Sequence, residues 1–332
     1  MVRPCSLPPK FLRLAARAIP VVLVSALLAT DESHASQVVD RNATKVRLAV
    51  DNRGQALITY RASGRLRRVL AWGAVNARPS GAAGSQVAFR LDYSGGWGKY
   101  HRRVWKSFDD SCGRYRGPSL SHVVASCTAS DGSHWALQEW AVALPDLGFA
   151  PWLPRQKVPW LTLSHWRGQT ADLEVYTDWV YGGRFEQVFG RLTYLGKPVF
   201  GLRTTRLGAP KDNFGRLIYL DTLNSRYGRG WRRENSFVTH KRTGVFCYGF
   251  FRFDPTSGGY ATPPNWPKHK RRGPGTGSRY RLTVMGPGVT PDVTVQVDGL
   301  HPYDRNDPAD VAYERQQNAV LDSFHDRACR HH

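Results

Sequence analysis

LEVYTDWVY at residues 173–181 and VFGRLTY at residues 188–194 decide the fold class. In each, apolar and polar residues alternate, so one side of an extended chain can face a core and the other can face water. In the first segment Leu173, Val175, Thr177 and Trp179 share one face, and Glu174, Tyr176 and Asp178 share the other. From Tyr194 the chain turns through Leu195-Gly196-Lys197 into VFGLRTT at 199–205. Toward the N-terminus the same signature recurs in WALQEWAVA (135–143), VAFRLDY (87–93), Val69–Trp72, ALITY (56–60) and VRLAV (46–50). The last three are separated by Asp51-Asn52-Arg53-Gly54 and Ala62-Ser63-Gly64, residue types that supply the positive φ and local hydrogen bonds of tight hairpins.

Toward the C-terminus come RLIYLDT (216–222), VFCYGFFRF (245–253), YRLTVM (280–285) and DVTVQVD (292–298), the last two flanking Gly286-Pro287-Gly288 as hairpin arms. One helix signature follows. Asp307 is a natural N-cap, Pro308 suits the first helical position, and Asp310 sits in the first turn. The helix is expected to run to about Ala328, with Tyr313, Val320, Leu321, Phe324 and Ala328 on its buried side. No period recurs along the chain, which argues against a propeller or solenoid. The expected fold is mainly β: an antiparallel β-sandwich or barrel-like domain with one C-terminal α-helix.

Two stretches interrupt the strand pattern. Residues 94–134 are rich in Gly, Ser and charge and read as a long excursion. Residues 144–168 set Pro145, Pro151, Pro154 and Pro159 among Trp152, Trp160 and Trp166. Proline removes ladder donors, so this window reads as a crossover or pocket rim, and a division into two sub-layers would fall here.

Residues 1–35 read as an export leader. Arg3, Lys10, Arg13 and Arg17 precede an apolar stretch, Ala18–Ala29, and Ser33 and Ala35 supply small residues before a cleavage point. The apolar stretch is shorter than the ~20 residues a bilayer requires. A single secreted β-rich domain, residues 36–332, is expected. Cys5 would leave with the leader. In an oxidising compartment the remaining four cysteines suggest two disulfides: Cys112–Cys127 closing a short loop, and Cys247–Cys329 tying the C-terminal segment to a central strand. The cysteine spacings do not match a zinc site, and His325, Cys329, His331 and His332 resemble ligands only superficially at a terminus expected to fray; no metal or other cofactor is expected.

The whole chain carries 47 Lys and Arg against 26 Asp and Glu. The leader accounts for four of the basic and two of the acidic residues, leaving 43 against 24, a net +19. A field of that sign attracts polyanions. An exported protein meets envelope polymers before it meets nucleic acid, so an anionic polymer or polysaccharide is the expected partner.

Common catalytic signatures are absent: no G-x-S-x-G, no H-E-x-x-H, no P-loop. RRGPGTGS at 271–278 neither follows a strand nor opens a helix, so it does not read as a dinucleotide site. Glu174 and Asp178 would lie ~13 Å apart along one strand, from a rise of ~3.3 Å per residue. That exceeds the ~5–9.5 Å of glycosidase carboxylate pairs. Across strands, Glu139, Asp178, Asp221 and Glu234 stand beside aromatics, whose burial raises a carboxyl pKa as a general acid needs.

Tryptophan beside arginine is the other lead. RYGRGWRRE at 226–234 should present Trp231 from a loop with Arg229, Arg232 and Arg233 beside it. Further on, Trp266 precedes the basic run Lys268, Lys270, Arg271 and Arg272. Such clusters stack on ligand rings and hold acidic groups. Trp135, Trp140 and Trp179 read as core. The leading expectation is an exported binder of an anionic or carbohydrate polymer. The alternatives are a glycan hydrolase using a cross-strand carboxylate pair, and a protein–protein interaction module.

Overall fold

The computed structural model describes residues 36–143, 158–199, 218–225, 228–238, 243–250, 275–327 and 329. The leader, the proline window before residue 158, VFGLRTT beyond Val199, Trp266 and the basic run Lys268, Lys270, Arg271 and Arg272 lie outside the described residues.

The chain is mainly β with one long C-terminal helix. The first strands are β1 (Gln37–Arg41), β2 (Thr44–Val50), β3 (Ala56–Ala62), β4 (Arg65–Trp72), β5 (Arg90–Asp92), β6 (Val123–Thr128), β7 (His134–Ala143) and β8 (Val158–Trp166). Then follow β9 (Asp172–Val180), β10 (Phe185–Tyr194), β11 (Lys197–Pro198), β12 (Ile218–Leu223), β13 (Trp231–Val238), β14 (Val245–Gly249), β15 (Arg279–Val284) and β16 (Val293–Asp298). The helices are α1 (Trp97–Tyr100) and α2 (Pro308–Ser323). The strands pair antiparallel in four sheets: β2-β3-β4-β5, β1-β8-β7-β6, β13-β12-β15-β16, and a fourth in which β10 lies between β9 and β14.

Local chemistry fixes the turns. The Asp51 side chain accepts from the amides of Arg53 and Gln55, at 3.0 and 2.9 Å, and so closes the β2–β3 hairpin. Gly190, in the middle of β10, admits no larger residue, because a β-carbon there would lie 1.9 Å from the Glu174 carbonyl of β9.

The alternating faces close over two main cores. Ile58, Tyr60 and Val69 from one sheet meet Trp135, Leu137, Leu161 and Leu163 from the next. Leu173, Val188, Leu192 and Phe246 meet Ile218, Leu220, Tyr280 and Leu282 in the second core. A smaller apolar seam of Trp140, Val142, Tyr219 and Met285, with Val38 and Trp160 against it, connects β7 to β12. Trp135 and Trp140 are buried, as expected of core residues, and Trp179 is buried too.

Helix α2 begins as its sequence dictates: Asp307 accepts from the Ala309 amide at 2.9 Å, with proline next in line. It ends at Ser323 rather than near Ala328, and Phe324 already lies beyond its last turn. Leu321 and Phe324 pack against Phe189 and Val245, so the apolar stripe covers the β10 side of its sheet.

Several expectations need correction. Residues 158–166 form β8, between β1 and β7, not a crossover. Pro159 is tolerated because it pairs beside the irregularity between Ala141 and Ala143, at the end of the ladder. Of VAFRLDY only Arg90–Asp92 is strand, and the 94–134 excursion contains β6. The Cys112–Cys127 disulfide is formed. Cys247 and Cys329 enter one apolar cluster, but no S–S bond joins them; the Cys329 thiol donates to the Phe246 carbonyl at 3.1 Å.

Candidate functional site

The β12–β13 hairpin carries the aromatic–arginine segment, and the strand pleat sorts its residues. Trp231 is the first residue of β13 and is half-buried, so it does not project from a loop. Arg233, two residues on, shares its face and is 2% exposed. Arg232 points to the opposite face by alternation, and Arg229 is exposed in the turn. The expected cluster is therefore divided. The turn itself uses Asn224 at φ 52°, whose side chain accepts from the Gly230 amide at 2.9 Å.

A different set gathers around Asp221, which pairs with Arg233 on one side and Arg281 of β15 on the other. Its carboxylate meets Arg233 Nε at 3.1 Å and Arg281 at 3.0 Å. Arg233 also donates to the Ala141 carbonyl and lies 4.9 Å over the Tyr219 ring. The Arg281 guanidinium lies 4.4 Å over the Trp231 ring. Trp140 meets Tyr219 edge to face at 5.1 Å, and His122 stacks on Trp140 at 6.2 Å. Burial, and then the Arg281 charge, push the His122 pKa down, which favours the neutral ring.

Among the described residues, two guanidinium groups thus share one carboxylate beside a half-covered tryptophan. Asp221 is committed to two ion pairs and is 3% exposed, so it is poorly placed to exchange protons with a substrate.

Of the other candidate carboxylates, Glu139 and Asp178 do not join it. Glu139 is half-buried on the β7 face that carries Trp135 and Leu137, opposite Trp140. Burial pushes its pKa up. Asp178 is fully buried on β9, in a different sheet, and desolvation raises its pKa to about 7, helped by the Glu314 charge from α2. Glu234 pairs with Leu220 along the ladder, and its side chain lies outside the described residues. Glu139, Asp178 and Asp221 therefore occupy three separate sheets.

The sequence reading missed Arg281, His122 and a buried Ser–His contact. Ser133 Oγ lies 2.9 Å from His165 Nε2, and His165 Nδ1 lies 2.6 Å from the Ala74 carbonyl. Ser133 is 1% exposed and also contacts Asp131, so this is a packed node rather than an open nucleophile. Only the pairing register could have found Arg281, since it stands opposite Asp221 from a strand sixty residues away.

No family model matches the chain, and no curated protein or solved structure is significantly similar to it.

Proposed function

We propose that the mature protein is exported and binds an anionic or carbohydrate polymer of the cell envelope or surroundings through the face formed by Trp231, Arg281 and the exposed Arg229. The observation that carries this reading is the Arg281 guanidinium stacked on Trp231, beside an Asp221 that, among the described residues, pairs with both Arg233 and Arg281. An aromatic ring with an adjoining guanidinium suits a sugar ring bearing a carboxylate or phosphate. Guanidinium groups match such oxyanions in planar, two-pronged geometry, which gives direction beyond simple charge attraction.

Hydrolysis is not the reading the site favours. Glu139, Asp178 and Asp221 lie in separate sheets, Asp178 is closed to solvent, and Asp221 is held in two ion pairs.

The test measures binding of the exported protein to a polyuronate, a teichoic acid and a neutral glucan, with nucleic acid as competitor and product analysis of each mixture. Trp231→Ala and Arg281→Gln should each weaken polyuronate or teichoic-acid binding by ~1–3 kcal/mol, the size of an anchoring contact. Equal binding by both variants, preferential binding to nucleic acid, or release of sugar products would overturn the reading.

A further inference from the structure

Ser36 and Asp292 form a closed polar contact at the seam between the two main cores. Ser36 directly precedes β1 and is 2% exposed. Its amide donates to the Gly286 carbonyl at 2.8 Å, and its hydroxyl donates to Asp292 Oδ1 at 2.5 Å. Asp292 is 1% exposed. Its Oδ1 also accepts from the Gly286 amide at 3.0 Å. Its Oδ2 accepts from Trp140 Nε1 at 2.7 Å and from Thr162 at 2.9 Å. The Gln138 side chain holds the Asp292 backbone, accepting from its amide and donating to its carbonyl, both at 2.9 Å. Gly286 is required there, since a β-carbon would lie 2.3 Å from the Thr290 and Pro291 carbonyls.

Four donors converge on one carboxylate, two on each oxygen. An ionised carboxylate accepts at both oxygens and donates nothing, so this cradle is built for the charged form. All four donors are neutral groups. Burying a charge without a counter-charge is costly, and desolvation accordingly pushes the Asp292 pKa up. Among the described residues no cation reaches the cradle, and Ser36 is the residue immediately after Ala35.

We infer that removal of the leader after Ala35 supplies that cation: the Ser36 α-ammonium pairs with Asp292 and locks the seam. This rests on the export reading given above. In the step a leader-cleaving peptidase adds water across the Ala35–Ser36 amide. Ala35 takes the hydroxyl as a carboxylate, and the Ser36 nitrogen takes the protons as an ammonium. One N–H keeps the bond to the Gly286 carbonyl. The others lie a few ångströms from Asp292, because the hydroxyl of the same residue already touches Oδ1. Processing thus turns an isolated buried charge into an ion pair joining β1, β7, β8 and the Gly286–Asp292 turn.

The test compares the exported chain with the full-length precursor carrying Ala35→Phe, which blocks cleavage, each with and without Asp292→Asn. N-terminal sequencing of the exported chain should read Ser-Gln-Val-Val. In the exported chain Asp292→Asn should lower Tm, because it strands the ammonium. In the precursor the same change should lower Tm by clearly less, because it sets an amide NH2 against the donors of the cradle but strands no ammonium. A shift of the same size in both chains overturns the inference. A secreted chain that begins elsewhere overturns it while leaving export standing, whereas a chain retained in the cell with its leader overturns both. If Asp292→Asn does not fold, the amine itself reports. In the native exported protein Ser36 should react with an acylating reagent at least about tenfold more slowly than in the unfolded chain, as expected of a group freed only by local opening. An equal rate also overturns the pairing.

Discussion

Two buried residues pull the pH dependence of stability in opposite directions. Asp178 titrates near ~3.9 in an unfolded chain and at about 7 in the folded protein. Between those values the native state keeps a proton that the unfolded state has released. The stability it contributes is therefore complete below about pH 4 and is lost as the pH rises through 7. His165, whose pKa desolvation lowers to about 4, does the reverse: its contribution is complete above ~6.5 and is lost as the pH falls toward 4. The Asp178→Asn variant separates them. Its unfolding free energy relative to wild type should rise by ~2–4 kcal/mol between about pH 4 and pH 8, measured by urea titration at each pH. A difference independent of pH would mean that Asp178 titrates as an exposed carboxylate does. Trp231 gives a second test at this scale. Half-buried at a strand end, it should cost ~1–2 kcal/mol of stability on change to Ala, below the ~3–5 kcal/mol of a core tryptophan. A core-sized loss in a urea melt would show that its ring is needed for packing and not for ligand.

At the scale of elements, alternation was legible and register was not. LEVYTDWVY and VFGRLTY became β9 and β10 because each has a consistent apolar side that only a two-residue period can bury. Asp307-Pro308 placed the start of α2 to the residue, since capping chemistry is local. The end of α2 was less legible, because its last apolar residues pack on β10 and β14 from a turn outside the helix. Strand β8 was hidden by Pro159, whose harmless place at the ladder's end depends on a bulge in its partner. The site fared likewise. RYGRGWRRE announced a basic aromatic loop, but Trp231 opens a strand and its ring meets Arg281, and no local pattern joins them. The Cys112–Cys127 link was legible from its short spacing. It closes a separation of 15 residues, so replacing both cysteines by serine should cost ~3 kcal/mol in the chain-entropy account. Hydrogen exchange should rise first in the 105–128 segment and at the Gly113–Thr128 bridge it holds. Unchanged exchange there, with loss elsewhere, would show that the bond stabilises some other part of the sheet.

Over the whole molecule, two apolar cores meet at a seam that is polar as well as apolar. Trp140 carries both characters: its ring packs on Tyr219, and its indole N–H donates to Asp292. The proposed ligand face adjoins this seam, since Arg233 reaches from the hairpin to the Ala141 carbonyl of β7. Basic residues are spread along the chain as well as clustered, so a diffuse field is an alternative source of attraction to a polyanion. Salt separates the two cases. A diffuse field is screened over ~8–10 Å at physiological ionic strength, and each phosphate or carboxylate neutralised in a defined contact adds about one unit to the slope of log affinity against log salt. Arg281→Gln should therefore lower that slope by about one and weaken binding throughout the series. Neutralising Lys268, Lys270, Arg271 and Arg272 together should lower the slope by up to about four if that run touches the polymer. Trp231→Ala should weaken binding with the slope unchanged, because a ring contact releases no counterions. Should all three variants shift affinity only in proportion to the net charge removed, with Trp231→Ala silent, the attraction belongs to the surface as a whole and the Trp231–Arg281 face has no special part in it.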